Sequence, residues 1–202
     1  MKTGNGKTGR PINFDKDAAL EAAMLLFWER GFEGTSMADL TEAMGLSPSS
    51  IYAAFGGKQE LFALAAQRYV DVPAQYMVRA LEQPTFKSFI LAAFDNTVEF
   101  LGSKEHPSSC FTLTGAISCG PETEHAKLLM REMRLQNESA IKARLLKARR
   151  AGEFPRKENV GDYTRYLSSL LSGLAVQAAN GSTKAELKRT AEIALRYLGI
   201  TR

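Results

Sequence analysis

Two helix-start signals within a dozen residues of each other constrain this chain more than any other feature of it. Ser36 and Asp39 form a Ser-x-x-Asp capping box, in which each side chain satisfies an unpaired N–H of the first helical turn. A helix therefore starts at Met37 and carries Met37, Leu40 and Met44 at helical spacing, with the small Ala43 beside them. It stops at Gly45, a residue that tolerates left-handed backbone. Ser47 and Pro48 open a second helix at once, an N-cap followed by a first-turn proline whose missing N–H would have been unpaired there. Ile51 and Phe55 point inward, while Ser49, Ser50, Tyr52 and Ala53 face out as a short surface of the kind a DNA major groove admits. Two capped helices joined by a glycine turn read as a helix-turn-helix, although a plain helical hairpin in a bundle has the same pattern.

The flanks add charge where such a module would use it. Asp15 caps a preceding helix, with Leu20, Met24, Phe27 and Trp28 on its apolar face and Gly31 at its end. Phe27 and Trp28 sit among aliphatic neighbours at helical spacing, the setting of core residues rather than of a base-stacking platform. After Phe55, Gly56 and Gly57 break the second helix of the motif, and Lys58 opens the next, whose N-terminal N–H groups and dipole favour a phosphate. Before Phe14 the chain carries Lys2, Lys7 and Arg10 and no acidic residue, within a Gly/Thr/Asn-rich stretch. Residues 1–14 thus read either as a flexible basic arm that reaches phosphates or a minor groove, or as a disordered tail.

The run from Phe14 to Leu61 resembles the DNA-binding domain of the tetracycline-repressor (TetR) family of bacterial transcriptional regulators. The residues that carry the resemblance are Ala18 to Phe27 with Gly31 and Phe32, then Thr35, Ser36, Leu40, Ala43, Gly45, Leu46, Ser50, Ile51, Tyr52, Phe55, Lys58, Leu61 and Phe62. The resemblance implies that Thr35, Ser36, Tyr52 and Lys58 contact the DNA backbone. With the outward residues of the motif and the arm, the expected DNA-binding set is Arg10, Thr35, Ser36, Ser47, Ser49, Ser50, Tyr52, Ala53 and Lys58. One departure bears on the operator: many members carry larger residues after the tyrosine, where this chain has Ala53 and Ala54. The resemblance further implies a repressor that binds a palindromic double-stranded operator as a homodimer and is released by a small-molecule inducer held in the body.

At 202 residues, the chain leaves a body of ordinary domain size after a DNA-binding head is subtracted. The pattern predicts an all-α chain, with a helix-turn-helix domain over 15–60 and a helical effector-binding and dimerisation domain over 61–202. A connecting helix from Lys58 to about Tyr69 is interrupted or kinked by Pro73. Beyond Pro84, helical stripes run over Phe86–Leu101, about Glu122–Ala151, Asn159–Ala179 and Lys184–Leu198, with a short helix within 108–120. Phe94, Val98, Cys110, Phe111, Thr114, Met130 and Met133 offer aromatic, thioether and hydroxyl walls for an effector of unknown identity, and no cofactor is expected. The last two helices are the expected dimer seam, with Leu167, Leu170, Leu171, Leu174, Leu195 and Leu198 as contacts, although some of these could equally be core.

Other classes find less support. No apolar run is long enough to span a membrane and no secretory signal is evident, so the expected location is cytoplasmic. No phosphate loop, zinc-protease helix or nucleophile elbow is present, so no catalytic residue is expected. His106 and His125 lie near loop residues and read as solvated; a metal site made of them with Cys110 and Cys119 lacks paired spacing. The net charge of +4 permits nucleic-acid binding without demanding it. Two alternatives stay open: a helical protein-interaction bundle without DNA binding, and a thiol- or redox-sensing regulator using Cys110 and Cys119. Against the second, Cys110 has no basic neighbour in sequence.

Overall fold

The computed structural model describes residues 14–116, 120 and 123–201. Its elements are α1 (Lys16–Arg30), α2 (Met37–Met44), α3 (Pro48–Phe55), α4 (Lys58–Asp71), α5 (Gln75–Leu81), α6 (Phe86–Leu101), α7 (Phe111–Thr114), α8 (Glu124–Arg150), α9 (Val160–Ala179) and α10 (Lys184–Tyr197), with no strand among the described residues. The all-α expectation therefore holds.

Local chemistry sets most helix starts. The Asp15 carboxylate accepts the Asp17 and Ala18 N–H groups at 3.0 Å each. Both arms of the Ser36/Asp39 box are made, Asp39 N–H to Ser36 Oγ at 3.1 Å and Ser36 N–H to Asp39 Oδ2 at 2.8 Å. Asn159 and Thr183 cap α9 and α10 in the same manner. Gly45 ends α2 in the left-handed region, φ 64°, where a β-carbon would be strained.

The described residues pack into two hydrophobic cores. The first gathers Phe27 and Trp28 of α1, Phe32, Leu40, Ile51 and Phe55 around the α4 residues Leu61, Phe62, Ala65 and Tyr69. It also takes in Phe111, Ala116, Ala126 and Met130, so the head packs directly on the body. The second core packs α5, α6, α9, α10 and the later part of α8, around Phe89, Phe94, Ile141, Leu145, Leu167 and Leu195. The long α8 is shared: Ala126 and Met130 face the first core, Ile141 and Leu145 the second.

Two expectations become specific. Of an interruption and a kink at Pro73 the first is found: α4 ends at Asp71, the Ala74 N–H bonds back to Tyr69 O at 2.9 Å, and the separate helix α5 follows. Seven residues are too few for a helix to stand on local propensity. α5 exists because Met77 and Ala80 are buried against α6. In the 108–120 segment only the four residues of α7 are helical among those described.

Candidate nucleic-acid interface

The second helix of the motif, α3, is held by its inner face alone. Ile51 and Phe55 are buried, while Ser47, Ser49 and Ala53 are exposed and Tyr52 keeps 56% of its surface in solvent. Ser47 Oγ accepts the Ser50 N–H at 3.2 Å and lies within hydrogen-bond distance of the Ser49 and Ser50 hydroxyls, at 3.0 and 2.9 Å. The serine cluster is thus self-satisfied, with exchangeable O–H partners on the open face.

Lys58 begins α4 with its ammonium 4.3 Å from the centre of the Phe32 ring. Partial burial lowers its pKa, opposed by attraction to Glu33 and Asp39. Asp39 is drawn below the usual carboxylate range first by the Ser36 hydroxyl and backbone, with a smaller share from Arg30, its ion-pair partner at 3.0 Å. The Gly57 N–H at the mouth of α4 is taken by the Glu60 carboxylate at 2.9 Å. Lys16, at the start of α1, lies with its ammonium 5.3 Å from the Phe55 ring, beside the end of α3. The sequence reading passed over it, because nothing in the spacing ties Lys16 to a helix some forty residues away.

The expected contact set is only partly brought to the surface. Ser36, Ser47, Ser49, Tyr52 and Ala53 are exposed and Ser50 and Lys58 half-buried, but Thr35 is fully buried, its hydroxyl donating to Gly31 O at 2.8 Å. A phosphate contact from the Thr35 side chain is corrected on that ground: the group has no path to solvent. Arg10 lies outside the described residues. Thr35→Val should cost about 1 kcal/mol, the worth of one buried hydrogen bond, and leave operator affinity unchanged in a titration well below the melting temperature. Ser36→Ala should lose a similar cap energy, about 1 kcal/mol, but weaken operator binding as well.

Residues 19–65 match the tetR family of bacterial regulatory proteins. Over 190 residues the chain is 30% identical to the HTH-type transcriptional repressor ComR of Escherichia coli (strain K12), spanning 93% of this chain and 90% of ComR. The chain belongs to the TetR family. It is a DNA-binding transcriptional regulator and not an enzyme. The repressor BdcR of the same organism is 28% identical over 190 residues, covering 92% of this chain and 90% of BdcR. A cysteine mutant of the TetR family transcriptional regulator CifR, solved with 26 bp double-strand operator DNA, superposes with a TM-score of 0.89 at 32% identity, covering 93% of this chain and 98% of that one.

This TetR-family body differs from the sequence expectation in where its cavities lie. Phe94, Phe111 and Met130 have no solvent-exposed surface and Val98 almost none; all four fill the two cores, while Thr114 points to solvent and donates to Cys110 O at 3.1 Å. Of the expected pocket only Cys110 and Met133 line a cleft. One cleft, of about 290 Å³, lies among Thr97, Leu113, Arg134, Ile141 and Ser168; the other, of about 250 Å³, among Tyr69, Val78, Leu81, Met133 and Ala140, and Cys110 borders both. Periodicity selected the most apolar residues, and those pack against one another instead of around a void.

Four of the six expected dimer contacts are corrected in the same way. Leu167, Leu171, Leu174 and Leu195 are buried inside the protomer, and Leu170 and Leu198 are half-covered by its core. The open face of α9 and α10 carries Tyr166, Gly173, Val176, Ile193 and Tyr197 instead, with Tyr197 85% exposed. The histidines are not simply solvated: His106 stacks 4.7 Å from Trp28, and His125 meets Phe32 edge-on at 5.1 Å. Cys119 lies outside the described residues. Among the described residues no helix is long and apolar enough to cross a membrane.

Proposed function

We propose that this regulator is a cytoplasmic repressor that docks α3 in the major groove of a palindromic operator as a homodimer, and that a small molecule bound in the body releases it. The observation that carries the reading is the outward face of α3, with Ser47, Ser49, Tyr52 and Ala53 unpacked between two basic side chains, Lys16 and Lys58. The complex named for CifR, operator DNA on a superposable chain, supports the same docking here. A two-fold dimer doubles the contacts and matches operator symmetry, and the apolar outer face of α9 and α10 is the surface available to form it.

Lys58→Ala should weaken binding to specific and nonspecific duplex alike and reduce the salt slope of the dimer by about two, one phosphate per protomer. Ser49→Gln and Ala53→Gln should change sequence preference while leaving that slope in place. Fluorescence anisotropy across a salt series reads both. Affinities of all three variants equal to the parent protein would sink the docking mode.

A path from body to head supports ligand release. The Trp28 indole N–H of α1 donates to Ser109 Oγ at 2.9 Å and lies 3.2 Å from Ser109 O, and the Phe32 N–H donates to Gly115 O at 2.8 Å. The segment between those two anchors contains Cys110, which borders the clefts. Any ligand that displaces it is linked to the position of α1, and shifts the equilibrium by its difference in affinity between the two states.

A thiol signal is a second reading with one observation in its favour. Cys110, without basic neighbours in sequence, shares the lining of the larger cleft with Arg134 of α8, a position open to small electrophiles that enter there. Cys110→Ser abolishing release by an alkylating agent, with release by reversible ligands kept, would favour it.

A further inference from the structure

The two clefts share a thin wall. Tyr76, Met77, Cys110, Thr112 and Asn137 line both, so each is open on one side of the same five side chains. Taken singly, about 290 and 250 Å³ fall just short of the roughly 300 Å³ at which small-molecule sites begin; joined, they lie within that range. Methionine and cysteine are the most readily repacked of wall residues, so little rearrangement separates the divided state from a joined one.

The lobes differ in chemistry. The larger holds Arg131 and Arg134 against a single carboxylate, Glu138. It also holds the hydroxyl of Thr97, 2% exposed and beside the Tyr76 phenol, and that of Ser168, which is enclosed without a hydrogen-bonding partner. An enclosed hydroxyl left unpaired is costly, and in a cavity wall it marks where a polar group of a guest is received. The Arg134 guanidinium donates to Thr112 O and is held there partly desolvated, with Arg131 repelling it. An anion in the lobe relieves both penalties. Among the described residues the smaller lobe has no charged side chain in its lining; Val70, Val78, Leu81, Met133 and Ala140 make it a slot for hydrocarbon.

We propose that the two clefts are one site for a short-chain amphiphilic carboxylate, its head beside Thr97, Ser168 and Arg134 and its chain past Cys110 into the lobe of Val78, Leu81 and Met133. The proposal rests on the reading of the body as the effector site. It also accounts for signal transfer: a chain threaded through the wall must move Cys110, whose neighbour Ser109 holds Trp28.

The test is isothermal calorimetry of the full-length, DNA-free protein with butanoate, octanoate and 1-octanol, each below its aggregation limit. Octanoate should bind at least about tenfold tighter than butanoate, from added buried methylenes, and about tenfold tighter than 1-octanol, from the charged head. Ser168→Ala should weaken octanoate several-fold without lowering the melting temperature of the unliganded protein, since the hydroxyl it removes has no partner. Ala140→Trp should bring octanoate down to the affinity of butanoate and leave butanoate unchanged. Octanoate no tighter than either comparator, or unaltered in both variants, overturns the site. Because binding is read without DNA, tight octanoate binding that fails to release operator would establish the site and refute the effector reading alone.

Discussion

If the proposed homodimer forms through the open face of α9, Gly173→Arg is expected to leave a monomer and to weaken operator binding by about 10²–10⁴-fold, the range by which two linked binding events exceed one. Gly173 lies on the open side of α9, near Tyr166, Leu170 and Val176, and a β-carbon built there meets nothing within 4 Å. The substitution is therefore free of clashes within the protomer, and arginine is the better helix former by up to about 1 kcal/mol. A charged side chain at the centre of a two-fold seam meets its own copy, so like charges are forced together with their water removed. Light scattering at micromolar concentration should give a dimer mass for the parent chain and a monomer mass for the variant, with helical circular dichroism unchanged. A dimer that persists in the variant, or a monomer that binds operator as tightly as the parent, would place the seam elsewhere.

Trp28→Ala is expected to cost about 3–5 kcal/mol, the range for deleting a large buried aromatic. In a chain of this size that lowers the melting temperature by about 6–20 °C. The indole is 1% exposed, lies edge-on to Tyr69 at 4.8 Å and stacks with His106 at 4.7 Å and Phe100 at 5.7 Å. Its N–H also satisfies buried Ser109. Trp28→Phe keeps much of the packing and removes only the donor, for a smaller loss of about 1–3 kcal/mol. That variant is the informative one for regulation: operator binding should survive, while the effector should release it less completely. Thermal denaturation followed by operator titration with and without effector separates the two losses. Release unimpaired in Trp28→Phe would show that the signal does not pass through Ser109.

The head was legible because its determinants are local. Ser36, Asp39, Gly45, Ser47 and Pro48 act on backbone groups no more than a few residues away, so spacing alone locates α2, the turn and α3. Ile51 and Phe55 recur at helical period, so the inward stripe, and with it the outward face, also follows from spacing. Thr35 shows the limit. Its place before the cap is readable, but its burial depends on Gly31 O coming within 2.8 Å, which only the packed turn arranges.

The cavities and the open face of α9 escaped the sequence for a different reason. Helical period tells which residues face inward; it does not tell whether two inward faces touch, since contact and void are lined by the same residue types. Phe94, Phe111 and Met130 were as apolar as any pocket wall and proved to be core, whereas Tyr76, Thr97 and Ser168, polar and unremarked, line the larger cleft. Leu167, Leu171 and Leu174 were the strongest stripe on α9 and were claimed by their own protomer, leaving the weaker face of Tyr166, Gly173 and Val176 in solvent. By itself, then, the sequence determined the all-α class, the capped helices and the reading face of the head, because capping and periodicity act within one or two helical turns. The tertiary structure decided the extra helix α5, the two-lobed cleft around Cys110, the approach of Arg134 to that thiol and the anchoring of α1 by Ser109. Each depends on the distance between side chains far apart in the chain, a quantity that no local spacing carries.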